Sequence, residues 1–146
     1  MARRLVRVIA LLSAAYLIGP AVSGCGQSIP VAEVDGLLLI HGKPGNKMRI
    51  EFIPDIDKGT KGPASTAETD SQGRFVLELK ERDSTAPRPG ALIGWHRVVL
   101  SDLQLAESAT GKGVPIRVEK EYTLPGSTPI VQEVKEGRQM IEIKIP

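Results

Sequence analysis

Beyond residue 25 no stretch of the chain sustains a helical repeat of apolar residues, and this limits the fold more than any other feature of the 146 residues. Apolar side chains come instead in short runs at period two. In QMIEIKIP (139–146), Ile141, Ile143 and Ile145 fall on one face of an extended chain and Glu142 and Lys144 on the other, because successive side chains of a strand point to opposite faces. MRIEFIP (48–54) sets Met48, Ile50 and Phe52 against Arg49 and Glu51. After the tight connection Asp70 to Gly73, Phe75, Leu77 and Leu79 share a face that Arg74, Glu78 and Lys80 avoid. GWHRVVLSD (94–102) places His96, Val98 and Leu100 opposite Trp95, Arg97 and Val99, and VDGLLLI (34–40) is apolar enough for a buried strand. The Gly- and Pro-rich HGKPGNK (41–47) predicts a hairpin joining 34–40 to 48–54, while LSDLQLAESA has room for two helical turns at most. The expectation from the pattern is an all-β fold of many short strands, an antiparallel sandwich or barrel, following an N-terminal signal helix.

A chain of this length supports one domain with one modest core. Four aromatics follow residue 16, namely Phe52, Phe75, Trp95 and Tyr122, so Val, Ile and Leu must fill that core. The formal charge of +2 comes from the leader, where Arg3, Arg4 and Arg7 stand without an acid. The remainder holds 16 basic and 17 acidic residues, the 19 of the whole chain less those three against all 17. Such a mixed, near-neutral balance lacks the basic footprint of a nucleic-acid binder, and no nucleic-acid partner is expected.

Met1 to Arg7 is basic, Val8 to Ile18 almost wholly apolar, and Gly19-Pro20 breaks the run before the small residues Val22-Ser23-Gly24. This is the three-part pattern of an export signal. The apolar run is shorter than the roughly 20 residues needed to span a bilayer. Cys25, the sole cysteine, follows directly. One thiol supports neither a disulfide framework nor a Cys-based metal site. Val22-Ser23-Gly24-Cys25 resembles the lipobox of bacterial lipoproteins, which implies cleavage between Gly24 and Cys25, a diacylglyceryl group on the sulfur and acylation of the new amino terminus. Two or three acyl chains on one residue anchor stably where one does not. The expected organisation is a lipoprotein signal peptide at 1–24, a tether at 25–32 and a β-sandwich domain at 33–146.

The domain itself resembles the carboxypeptidase regulatory-like, transthyretin-like β-sandwich domains. The resemblance rests on VDGLLLIHGKPGNKMRIEFIP, TDSQGRFVL, GWHRVVLSD and EKEYTLPGSTPIVQEVKEG, in that order, from about Val34 to Ile145. His41, Gly45 and His96 depart from the pattern, His96 standing where the family has a strand tyrosine. The resemblance implies a seven- or eight-stranded antiparallel Greek-key sandwich, transthyretin-like or immunoglobulin-like, serving as an accessory, non-catalytic module. In TDSQGR, Asp70 is suited to accept backbone N–H bonds and Gly73 to take positive φ, a structural turn.

Catalytic and metal motifs are weak. His41 and His96 are 55 residues apart, in a turn and on a strand, with no G-x-S-x-G context. His96 is expected to be a core or edge histidine. DIDKG spaces Asp55 and Asp57 like the first and third ligands of a calcium loop, but Gly59 and Thr60 follow, and Thr66 stands where a bidentate Glu is needed. No cofactor, no metal and no catalytic residue is expected. The sequence therefore points to an exported envelope protein, lipid-anchored through acylated Cys25, with a binding or structural role toward an envelope protein or glycan. The alternatives are a carbohydrate-binding module, for which Trp95 is the one tryptophan, and a transthyretin-like hydrolase, which the histidine count and the IEIKIP ending disfavour.

Overall fold

The computed structural model describes residues 30–82, 84–108 and 113–146. The leader, Gly24 and Cys25 lie outside the described residues. Among the described residues twelve strands and one short α-helix succeed one another, with two 3-10 turns at Ile56–Lys58 and Lys120–Thr123: β1 (Val31–Ala32), β2 (Val34–Ile40), β3 (Lys43–Pro44), β4 (Met48–Pro54), β5 (Ser65–Glu68), β6 (Arg74–Val76), β7 (Glu78–Leu79), β8 (Arg88–Pro89), β9 (Ala91–Leu92), β10 (Gly94–Asp102), α1 (Leu103–Glu107), β11 (Val131–Val134) and β12 (Gln139–Ile145). Two sheets form the sandwich. The larger runs β11-β10-β4-β5-β7-β8, and in the smaller β2 lies between β12 and the short strands β3 and β6.

Alternation explains why the two sheets face each other. Val34, Leu38 and Ile40 of β2 and Ile141, Ile143 and Ile145 of β12 point into one core with Met48, Ile50 and Phe52 of β4 and Val98 and Leu100 of β10. β2, β4 and β12 bury every second side chain, and β10 buries Val99 as well as Val98 and Leu100, so the sheets can bury their apolar faces only against each other. Fully burying a side chain of this size stabilises the fold by about 1.5–3 kcal/mol, before the conformational entropy of ordering it. Phe75 on β6 lies over Gly36 on β2, its cross-strand partner. A Cβ at Gly36 would come within 2.0 Å of the Phe75 ring, so only glycine leaves room for that aromatic.

The all-β sandwich class agrees with the sequence, while several details of pairing differ. Residues 34–40 and 48–54 do not form a hairpin: β4 pairs with β5 and β10, and β2 with β3, β6 and β12. Segment 41–47 carries the chain across the core from one sheet to the other. Period two shows that both strands have a buried face but not which sheet each belongs to. One ladder is parallel rather than antiparallel, β12 with β2, from Gln139 opposite Val34 to Ile145 opposite Ile40. Residues 65–68 form β5, although the sequence reads as a loop there. Its inward side chains, Ser65 and Ala67, are too small to give an apolar alternation. Between β6 and β7 the chain changes sheets at Leu77, whose N–H donates to Val34 O. Val31 and Ala32, the last two residues assigned to the tether, pair with Leu92 and Ala91 as β1.

Candidate functional site

The first described residue, Pro30, lies at one end of the sandwich, where its carbonyl accepts from Ile93 N at 3.1 Å. The same end holds the turn that follows β4. There Asp55, buried, accepts from Asp57 N through Oδ1 at 3.1 Å, and its backbone oxygen accepts from Lys58 N and Thr60 N. The turn is fastened to β10 on both sides: Asp55 N donates to Trp95 O at 2.8 Å, and Trp95 N donates to the Thr60 hydroxyl oxygen at 2.7 Å. This bonding uses the polar groups that the sequence offered as calcium ligands. Asp57 points outward and Thr66 sits apart on β5. Arg97 reaches Asp55 at 3.5 Å and Asp57 at 3.6 Å, so a cation already occupies the carboxylates. Among the described residues no group of three or more His, Cys, Asp or Glu side chains is placed to hold a metal ion.

Fixing the turn aims its side chains. Lys58 Nζ stands 3.9 Å from the centroid of the Trp95 ring, an arrangement favoured by the negative face of the indole. Pro30, Lys58, Thr60, Lys61, Ile93 and Trp95 line an open groove of about 370 Å³. Ile56, in the same turn, is 67% exposed and borders a neighbouring groove with Pro54, Arg97 and Pro125. Neither Lys58 nor Lys61 pairs with a carboxylate among the described residues. Both lysines lie in the polar stretch DIDKGTKGPAST between β4 and β5. Their convergence on Trp95 and Pro30 depends on the long-range Asp55–Trp95 and Thr60–Trp95 bonds, which no local motif encodes.

The other singled-out residues lie elsewhere. Asp70 accepts from Gln72 N and Arg74 N through one carboxylate oxygen, at 2.8 and 2.9 Å. Gly73, at φ +75°, donates to Asp70 O, and a Cβ there would lie 2.5 Å from Leu38 O. His41 is exposed, at φ +51°, in the turn after β2. His96 is fully buried on β10 in the opposite sheet, so the two imidazoles do not share a site. Its ring tilts against Phe52 at 5.8 Å, and Nδ1 lies 3.0 Å from Gly94 O. The tautomer protonated on Nδ1 donates that bond and leaves Nε2 as an acceptor with no partner among the described residues. Burial lowers the His96 pKa, the Gly94 carbonyl acting weakly the other way, so the ring is held neutral.

A groove of about 810 Å³ runs over β4, β5 and β6 and is lined by charges of both signs, including Arg49, Glu51, Glu68 and Glu78. Arg49 and Glu68 pair at 2.8 Å across it, and that hydrogen bond raises the Arg49 pKa. At the far end of the sandwich Arg117 joins Asp102 through two nitrogens and also donates to Asn46. Burial pushes the Asp102 carboxyl up, but Arg117 and the N–H groups of Gln104 and Leu105 outweigh it and hold the carboxyl below its usual range. Compared with models of known families, with curated proteins and with solved structures, the chain finds no match.

Proposed function

We propose that this protein is an exported lipoprotein whose acylated Cys25 holds a non-catalytic β-sandwich, of the carboxypeptidase regulatory-like type, against a bacterial envelope membrane. There it serves as a binding or structural module for an envelope protein or glycan. The observation that carries the reading is the coincidence of the only cysteine with the end of an export signal, directly after Val22-Ser23-Gly24. A non-catalytic role is supported by where the reactive groups lie: one histidine is in an exposed turn, the other is neutral inside the core, Asp55 is taken up by the N–H of Asp57 and by Arg97, and Asp57 faces the same arginine. The sugar-platform reading finds less support, because a lysine already covers one face of Trp95.

The anchor is tested by the mass of the protein recovered from membranes. Wild type should carry acyl chains on an amino-terminal Cys25 and partition into detergent. Cys25→Ser should be recovered unacylated in the aqueous phase. Soluble wild-type protein with a free thiol at position 25 would overturn the reading.

A further inference from the structure

The groove beside Pro30 has a consequence for how the domain lies on the membrane, and this inference rests on the anchored reading above. Four residues, Gly26 to Ile29, separate Cys25 from Pro30, which makes five Cα-to-Cα steps. Whatever path they take, they span at most about 18 Å. A single domain of this size has a radius of gyration of about 13 Å and hence a diameter near 35 Å. The far end, with the Arg117 clamp and the Asp70 turn, is therefore further from Pro30 than the tether is long. The end that carries Pro30 is the one held at the surface.

What that end presents is suited to a headgroup layer. Trp95 is half-buried, with an indole N–H that a headgroup oxygen can accept, the amphipathic character that enriches tryptophan at membrane interfaces. Lys58 and Lys61 add two exposed ammonium groups without carboxylate partners, beside Asp57, whose charge faces Arg97. Both lysine stems and the Pro30, Ile93 and Trp95 side chains border one groove, so cation and apolar surface meet within a few ångströms.

We propose that this face, built from Lys58, Lys61 and Trp95 around the groove beside Pro30 and Ile93, docks on the anionic phospholipid headgroups of the bilayer that carries the Cys25 anchor and so fixes the orientation of the sandwich. The anchor supplies residence at the membrane. The lysines and Trp95 supply a preferred orientation, with β11, β12 and the large groove held at set heights above the lipid.

Because Trp95 is the sole tryptophan, its fluorescence reads the face directly. Acylated full-length protein is reconstituted in phosphatidylglycerol-containing and in pure phosphatidylcholine vesicles, each with a nitroxide label near the headgroup. Each variant is referenced to its own spectrum in detergent, since Lys58 touches the ring. Strong quenching is expected with phosphatidylglycerol and weak quenching with phosphatidylcholine. The ratio of docked to undocked protein should fall about fivefold for each lysine removed in Lys58→Gln and Lys61→Gln, the effect of one cation near an anionic surface. Raising the salt should have the same effect as removing a lysine. Both variants should still float with the vesicles, because the anchor is intact. Protein that floats while Trp95 quenches equally in both lipids, or ignores the lysine substitutions, overturns the docking and leaves the anchor standing. Trp95 that is unquenched by either lipid yet shielded from aqueous iodide in intact envelopes assigns the face to a protein or glycan and also overturns it. Wild type that fails to float overturns the anchor, and the docking with it.

Discussion

At the far end of the sandwich Arg117 spends its guanidinium on groups of its own fold. Nε meets Asp102 Oδ2 at 2.7 Å, one terminal nitrogen meets the other carboxylate oxygen at 2.5 Å, and Nη1 meets the backbone and side-chain oxygens of Asn46 at 2.9 and 3.0 Å. At the Pro30 end Lys58 and Lys61 spend theirs on an indole face and on solvent. The two ends use cations for different purposes. A planar guanidinium clamped between three chain segments, 46–48, 102 and 117, closes the mouth of the core beneath the segment that leads to Val118 and Tyr122. Two solvated ammonium groups on a turn held in shape by backbone bonds and by the side chains of Asp55 and Thr60 contribute little to folding and stay available to something outside it.

The contrast is broken or sharpened first at Asp102. Asp102→Ala removes both carboxylate bonds to Arg117 and the cap on Gln104 N at the start of α1, leaving a guanidinium with only 19% of its side chain exposed. The cost in urea unfolding is expected to be about 3 kcal/mol, the range for stripping one partner from a largely buried pair. A loss below about 0.5 kcal/mol, the level of ordinary surface substitutions, would mean the clamp is decoration and the two ends are alike.

A smaller effect separates the clamp from the core. His96 has a folded-state pKa below its unfolded value of 6.5, so below that pH the unfolded chain binds a proton that the folded chain does not. Its contribution to stability is therefore complete above about pH 6.5 and declines as the pH falls toward the folded value. Asp102, whose folded pKa lies below 3.8, loses its contribution only as the pH falls below that value. Stability measured against pH should fall in two separate windows, and His96→Leu should remove the upper one and leave the lower. A His96→Leu curve parallel to wild type between pH 7 and 4.5 would show that the imidazole is charged inside the fold after all.

Legibility in the sequence followed the size of the side chains. β4 and β12 each set three large apolar residues at period two, β10 sets Val98 and Leu100 on the face of His96, and β2 has a nearly continuous apolar run, so these strands could be read directly. β5, which buries Ser65 and Ala67, could not, and neither could the two-residue strands that border the edges. Pairing was the harder matter. The connection 41–47 has turn composition whether it folds β4 back beside β2 or sends it across the core. Only the packing of both inner faces against each other decides for the crossing. The Asp70 turn is local chemistry, one carboxylate oxygen and two nearby N–H groups, and so lay within reach of local reasoning. The Pro30 groove depends on residues 30, 58, 61 and 95 meeting through the Asp55–Trp95 bonds, a long-range event that no local motif encodes.

The smallest expected effect tests the other side of the contrast. Lys58 and Lys61 are exposed, neither has a described carboxylate partner, and the turn that carries them is held by Asp55, Thr60 and the backbone of Trp95 rather than by either ammonium. Replacing both with Gln removes the cation–π contact at Trp95 and two solvated charges, while every hydrogen bond of the turn remains. For surface changes of this kind the stability should move by about 0.5 kcal/mol or less, and the thermal midpoint of the soluble Cys25→Ser form by roughly 3 °C or less. A drop comparable to that of Asp102→Ala would show that the lysines hold the turn in place, and the Pro30 end would then be a second clamp with no side chains to spare for a membrane.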